Sequence, residues 1–461
     1  MVTVHPYIAP LILTSSDLPS MDTPLIDRLP PELLLAITTF IIDQNTISRL
    51  AAVCRYWRDV FTGTPTLWTS IDSRTEYRTS ILLQRSESNP IDVTIGNRYV
   101  PEAISLIVNH SYRMRSIEIN LPSRQFEDVR PLLDGLVPIL ETMRMRPRRD
   151  GLPARFFPLH SSFFRGHFPA LRTLHLEGYP LDLTRSAPMM TNGLTRLVLD
   201  NRQLHHRDNL LEYLGHCRNL VYLRIELPNL VGAMIPALRI VSLPNLRELW
   251  LVRSSLATIH HLYFPPTTDL IIESHGREQF DGHPPVRDRF PQTLESRAIE
   301  DIRMTFHVSD CVVVLSGPHF VFTERTRADT SRYNTFYSDY LDSFHPLPIT
   351  TTEVLRFVQP PQCPFTGILR PQSCIRLLLR MPALKRIVVD ASVAPFFIRA
   401  LEPVDGQVPC LALQVLVVIR RGGHDVDLRG DLLSLSNQRE DHGCPLMCNI
   451  EPPGLNLSNR W

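Results

Sequence analysis

The chain of 461 residues balances 48 Lys and Arg against 47 Asp and Glu, a net charge of +1, which excludes a general electrostatic attraction to nucleic acid or to an anionic membrane. Forty prolines are nearly twice the usual share of about 5 %, a composition suited to many short elements joined by stiff connections. No apolar run reaches the roughly 18 residues that a membrane-spanning helix needs.

Residues 1–24 open on MVTVHPYIAPLIL, which is apolar but lacks a basic leader and is interrupted by His5, Pro6 and Pro10. A flexible leader is expected there rather than a signal peptide. Residues 25–72 hold the strongest local signal. Pro30 and Pro31 fix the backbone where a helix begins, and Glu32 follows at the positive end of its dipole. Leu33, Leu34, Ile37, Phe40 and Ile41 recur at helical spacing. Asp43, Gln44 and Asn45 break that helix, and Asn45 or Thr46 is expected to cap a second. Its stripe is Ile47, Leu50, Val53, Cys54, Trp57, Val60 and Phe61, after which Thr62–Pro65 ends it and Leu67, Trp68 and Ile71 add an anchor. Two helices this short have no core of their own and require a neighbour or a partner.

The ordered anchors Leu29-Pro30, Leu33, Ile37, the Cys54 and Trp57 pair, and Leu67-Trp68 resemble an F-box, in the form common in mushroom-forming fungi. The resemblance covers about a tenth of the chain. It implies a protein without chemistry of its own, the substrate receptor of a cullin–RING ubiquitin ligase, docked on a Skp-family adaptor. Carried over to these residues, it places Leu29, Pro30, Leu33, Leu34 and Ile37 against the adaptor, in helix-in-groove fashion. Cys54, Trp57, Leu67 and Trp68 pack inside the F-box or touch the adaptor, and both readings stand.

Residues 73–420 carry an internal repeat. Leu171-x-x-Leu174-x-Leu176 recurs as Leu194-x-x-Leu197-x-Leu199, Leu220-x-x-Leu223-x-Ile225 and Leu246-x-x-Leu249-x-Leu251, each with a further leucine at the eleventh position. This phase resembles a leucine-rich repeat, a short strand followed by a turn and a returning segment. The ninth position, Asn or Cys in regular repeats, is Tyr179, Arg202, Pro228 and Ser254, so an irregular solenoid is expected. Weaker copies start at Met114, Leu384 and Leu413, and Ile91–Ile95 is expected as a strand of a first unit. Over about 265–370 the phase is poor, with strand-like runs Leu270–Ile272 and Val312–Leu315 and an expected loop at Glu324–Asp339. The predicted class is thus α/β, a small all-helical F-box followed by an irregular repeat solenoid.

In such strands the leucines face inward and the intervening positions face out. His175, Arg196, Tyr222, Arg224, Glu248 and Trp250 then share one open face, a composition close to that of protein interfaces. A shifted register would instead bury Trp250 as core. The chain contains none of the glycine-rich phosphate loops, nucleophile elbows or His-Glu-x-x-His helices that carry catalysis, and no cofactor is expected. His442, Cys444 and Cys448 fall short of the four ligands of a closed zinc site. Arg144, Arg146, Arg148 and Arg149 read as a solvated linker. The eight cysteines are mostly scattered, several within apolar segments, as reduced buried thiols are, which predicts a cytoplasmic or nuclear protein. Residues 421–461 lose the repeat and are expected to be loosely ordered. Two functions follow, a ubiquitin-ligase substrate adaptor and a scaffold that uses the same F-box and repeats outside the ligase.

Overall fold

The computed structural model describes residues 29–38, 40, 44–122, 125–146, 167–178, 193–200, 207–227, 240–253, 261–276, 298–306, 310–327, 349–358, 369–404, 406–420 and 428–452. The chain divides into two compact units, Met1–Arg115 and Ser116–Trp461.

In the first unit Pro31 opens α1 (Pro31–Thr38). α2 (Gln44–Leu50) begins before the expected caps, so Asn45 and Thr46 lie in its first turn. The stripe expected as one helix from Ile47 to Phe61 is cut in two. Cys54 takes an extended backbone, its sulfur accepts the Trp57 amide at 3.4 Å, and α3 (Arg55–Thr62) starts after it. A cysteine cap is not among the favoured ones, so unbroken apolar periodicity conceals it. A 3₁₀ turn (Pro65–Trp68), β1 (Ser70–Asp72), α4 (Glu76–Arg85), β2 (Ile91–Ile95) and α5 (Pro101–Val108) complete the unit. β1 and β2 pair in parallel, with Ile71 opposite Val93. Leu34, Phe61, Trp68 and Ile71 are almost dry, and Trp57 is buried with its ring edge-on to Phe61. The buried Arg113 donates to the carbonyls of Leu83, at 2.8 Å, and Glu87, and so satisfies acceptors at the end of α4.

The second unit is a mixed α/β region of many strands. β3 (Met114–Ile119), β4 (Thr142–Met145), β5 (Thr173–Glu177), β6 (Arg196–Asp200) and β7 (Tyr222–Leu227) follow one another in parallel. The small β8 (Val241–Ser242) pairs with β10 (Leu262–Tyr263), while β9 (Glu248–Arg253) extends the main sheet. Next come β11 (Asp269–Gly276), β12 (Asp301–Phe306), β13 (Asp310–Gly317) and β14 (Phe320–Arg327), in the spatial order β9, β11, β14, β13, β12. β15 (Val354–Val358), β16 (Arg386–Asp390), β17 (Val415–Ile419) and β18 (Met447–Glu451) close the sheet. Every neighbouring pair from β3 onward is parallel except those made by β13, which runs against both β12 and β14.

The repeated leucines are equivalent in space as well as in sequence. Leu174, Leu197, Leu223 and Leu249 stand opposite one another across β5, β6, β7 and β9, and each is at most 1 % exposed. Each such side chain contributes roughly 1.5–3 kcal/mol by leaving water.

Three expectations change. Arg144 belongs to β4 rather than to a linker, because Leu140-x-x-Met143-x-Met145 is a further copy of the repeat with methionine in place of leucine. The middle is better phased than its composition shows: Ile299-x-x-Ile302-x-Met304 is buried at all three positions, and Glu324–Arg327, expected as loop, ends β14. Residues 328–339 of that expected loop lie outside the described residues. In the expected loose tail, 429–441 form a helix (Arg429–Asp441) and 447–451 form β18, paired in register with β17. The helix is held by Arg439, fully buried, whose guanidinium donates to the carbonyls of Pro409 at 2.8 Å and Cys410 at 3.0 Å. An arginine spent on backbone carbonyls leaves no hydrophobic periodicity, so the tail reads as unstructured.

Candidate functional site

Two surfaces, one in each unit, hold the residues that the sequence singles out. In the first unit, α1 divides its apolar side chains between interior and surface. Leu34, expected against a partner, is 1 % exposed and belongs to the domain interior. Leu33, Ile37 and Phe40 are 53 %, 45 % and 87 % exposed, with Pro30 exposed and Leu29 partly buried beside them. Tyr56 donates its hydroxyl to the Leu29 carbonyl at 2.7 Å, which fixes the chain entering α1 against α3. Ile41 lies outside the described residues. Of the two tryptophans, Trp57 is buried and Trp68 is nearly dry, its indole nitrogen donating to the Phe61 carbonyl at 2.8 Å. Both therefore serve the interior. Leu67 is partly buried, and Cys54 spends its sulfur on the cap of α3.

In the second unit, the side chains between the inward leucines of β5, β6, β7 and β9 stand in transverse rows. Arg196, Tyr222 and Glu248 make one row, and His175, Val198, Arg224 and Trp250 the next. Arg196 lies 3.6 Å from the centre of the Tyr222 ring and Arg224 5.6 Å from that of Trp250, two cation–π contacts on adjacent strands. Trp250 donates its indole N–H to Glu248, and Arg224 pairs with Glu226 at 3.5 Å. Trp250 is neither buried nor fully exposed, so it shows one side to solvent and is not core.

His175 meets a different neighbourhood. Burial, and then the positive charges of Arg146, Arg144 and Arg224, lower its pKa from the ordinary 6.5 to about 4, so its ring is neutral at physiological pH. Arg146 also faces Glu177 at 3.7 Å. Arg144, Arg146 and Glu177 therefore join this face, although only Glu177 was recognisable as an outward repeat position. The signal for the two arginines was Met143 and Met145 standing in leucine positions.

Among the described residues no group of three His, Cys, Asp or Glu side chains is placed to hold a metal ion, and no helix is long and apolar enough to cross a membrane. Burial pushes the thiols of Cys217 and Cys410 up to about 12, which makes both poor nucleophiles.

Residues 26–74 match the family described as F-box-like. F-box only protein 17 of Homo sapiens is 38 % identical over 56 residues, 12 % of this chain. The match spans 20 % of that human protein, so the likeness concerns one short segment of each chain. The chain carries an F-box-like domain near its N-terminus, followed by a mixed α/β region with many strands.

Proposed function

We propose that the chain is the substrate-recognition subunit of a Skp–cullin–F-box ubiquitin ligase, of the fungal type its motif resembles and at work in the cytoplasm or nucleus. The observation that carries this reading is the exposure of Leu33, Ile37 and Phe40 within a segment that matches the F-box-like family. Large apolar side chains left in water on one short helix and just beyond its end are anchors for a partner groove. Pro30, Leu33 and Ile37, with Leu29 at their edge, form the adaptor-facing set, and Leu34 supports it from beneath.

The second unit is the receptor end. Its in-register, inward-facing leucines support a leucine-rich-repeat type of solenoid, and the arginine–aromatic pairs on its outward face support capture of a protein substrate there. Aromatic and arginine side chains held in place by one another lose little freedom on binding.

Affinity purification of the full chain tests the first half. Wild type should recover a Skp-family adaptor together with a cullin. Ile37→Asp should weaken adaptor binding by about thirtyfold or more, the equivalent of about 2 kcal/mol, at an unchanged melting temperature. Recovery of an adaptor without cullin would favour a scaffold outside the ligase, and recovery of neither would sink the proposal.

A further inference from the structure

We propose that a cleft between α2 and α4, within the first unit, binds the phosphate group of a phosphate monoester whose carrier is apolar or aromatic. The cleft has a volume of about 470 Å³, within the range of small-ligand sites. Three guanidinium groups line it, those of Arg49, Arg78 and Arg85. Two are held in place before any ligand arrives. Arg78 pairs with Asp72 at 3.2 Å and donates to Asn45, and Arg85 lies 4.5 Å from the centre of the Trp68 ring, which is itself nearly dry.

Charge selects the ligand. Asp72 neutralises Arg78, and among the described residues no ion pair joins Arg49 or Arg85 to a carboxylate. About two positive charges are left over. A monoester phosphate carries about −1.5 to −2 at neutral pH, which matches them, whereas a single carboxylate does not. Guanidinium groups meet phosphate oxygens through paired, charge-assisted hydrogen bonds, and the cost of fixing two of them is already met by Asp72, Asn45 and Trp68. The remainder of the lining pairs the polar Asn45 and Ser48 with Ile81 and the exposed ring of Tyr77, so bare phosphate leaves an apolar part of the cleft unfilled. The inference does not depend on the ligase reading.

Calorimetric titration of the full chain with phenyl phosphate tests it. The expected result is saturable one-to-one binding that weakens with added salt and falls about tenfold in Arg49→Gln. Arg49 is exposed on α2, so this variant should keep its circular dichroism and melting temperature. Inorganic phosphate and benzoate should each bind more weakly than phenyl phosphate. Tighter binding of a short phosphotyrosine peptide would identify the source as a protein side chain, and equal or weaker binding would identify a free ester; both outcomes support the site. Absence of saturable binding to phenyl phosphate and to the peptide would overturn it. So would equal affinity in wild type, Arg49→Gln and Arg85→Gln, and equal binding of inorganic phosphate would remove the apolar carrier.

Discussion

Under the proposed function, the surface of α1 and the outward face of β5 to β9 solve recognition with opposite chemistry. Leu33 and Ile37 on α1, with Phe40 just beyond its end, stand in water and make a largely apolar surface. On the sheet, Arg196 and Arg224 cover Tyr222 and Trp250, and Glu226 and Glu248 hold them in turn. An apolar surface of that kind rewards any groove of the right shape, which suits a partner that does not change. A charged and aromatic lattice rejects most partners by leaving their polar groups unpaired, which suits selection among many.

The largest test of this contrast lies beneath the apolar surface. Trp68→Ala removes a nearly dry side chain and its hydrogen bond to Phe61, and should cost about 3–5 kcal/mol, read by urea denaturation of the first unit. A cost below about 1 kcal/mol would mean that Trp68 is a docking residue rather than a structural one. On the sheet, Trp250→Ala should change stability by less than about 1 kcal/mol, because an exposed cation–π contact is worth about 0.5–1 kcal/mol. The same variant should lose about thirtyfold in affinity for a captured target while keeping the adaptor. An unfolded variant would return Trp250 to the core and dissolve the contrast.

The smallest effect is set by pH. His175 has its pKa lowered to about 4 when folded, so the unfolded chain takes up the proton first as pH falls. Its contribution is therefore complete above about pH 6.5, declines as pH falls, and is fully lost near pH 4. The urea midpoint of wild type should fall more steeply than that of His175→Gln across this window. Identical slopes would show that neither burial nor the three arginines lower the pKa of the ring.

What could be read in advance depended on which residues did the packing. The four leucine copies at 171, 194, 220 and 246 gave both the strands and their facing rows, because leucine at inward positions is the period itself. Copies built on Met143 and Met145, or on Ile302 and Met304, are packed as tightly but blur into general hydrophobicity. Direction was harder still. The alternation of β12, β13 and β14 announces strands, yet nothing in it says that β13 runs backward. In the first unit the anchors were legible, while the break at Cys54 was not, since a thiol capping a helix leaves the apolar stripe unbroken. Nor does the periodicity of α1 say whether Leu33 or Leu34 faces inward, because both lie on the same stripe.

The reversal at β13 governs the order in which the chain can assemble. Up to β9 each strand pairs with one close in sequence, so structure can grow a unit at a time. At β11 that growth stops: Leu270 must pair with Phe320, beyond β12 and β13, before the sheet continues. The turn that permits this is tight, since Gly317 pairs with Phe320 across Pro318 and His319, with His319 at φ +66°. Gly317 also lies against the carbonyl of Ala298 where a side chain has no room. The hairpin itself is local, so the loop-closure cost falls on the pairing of β11 with β14, the junction between two halves that otherwise grow by neighbours.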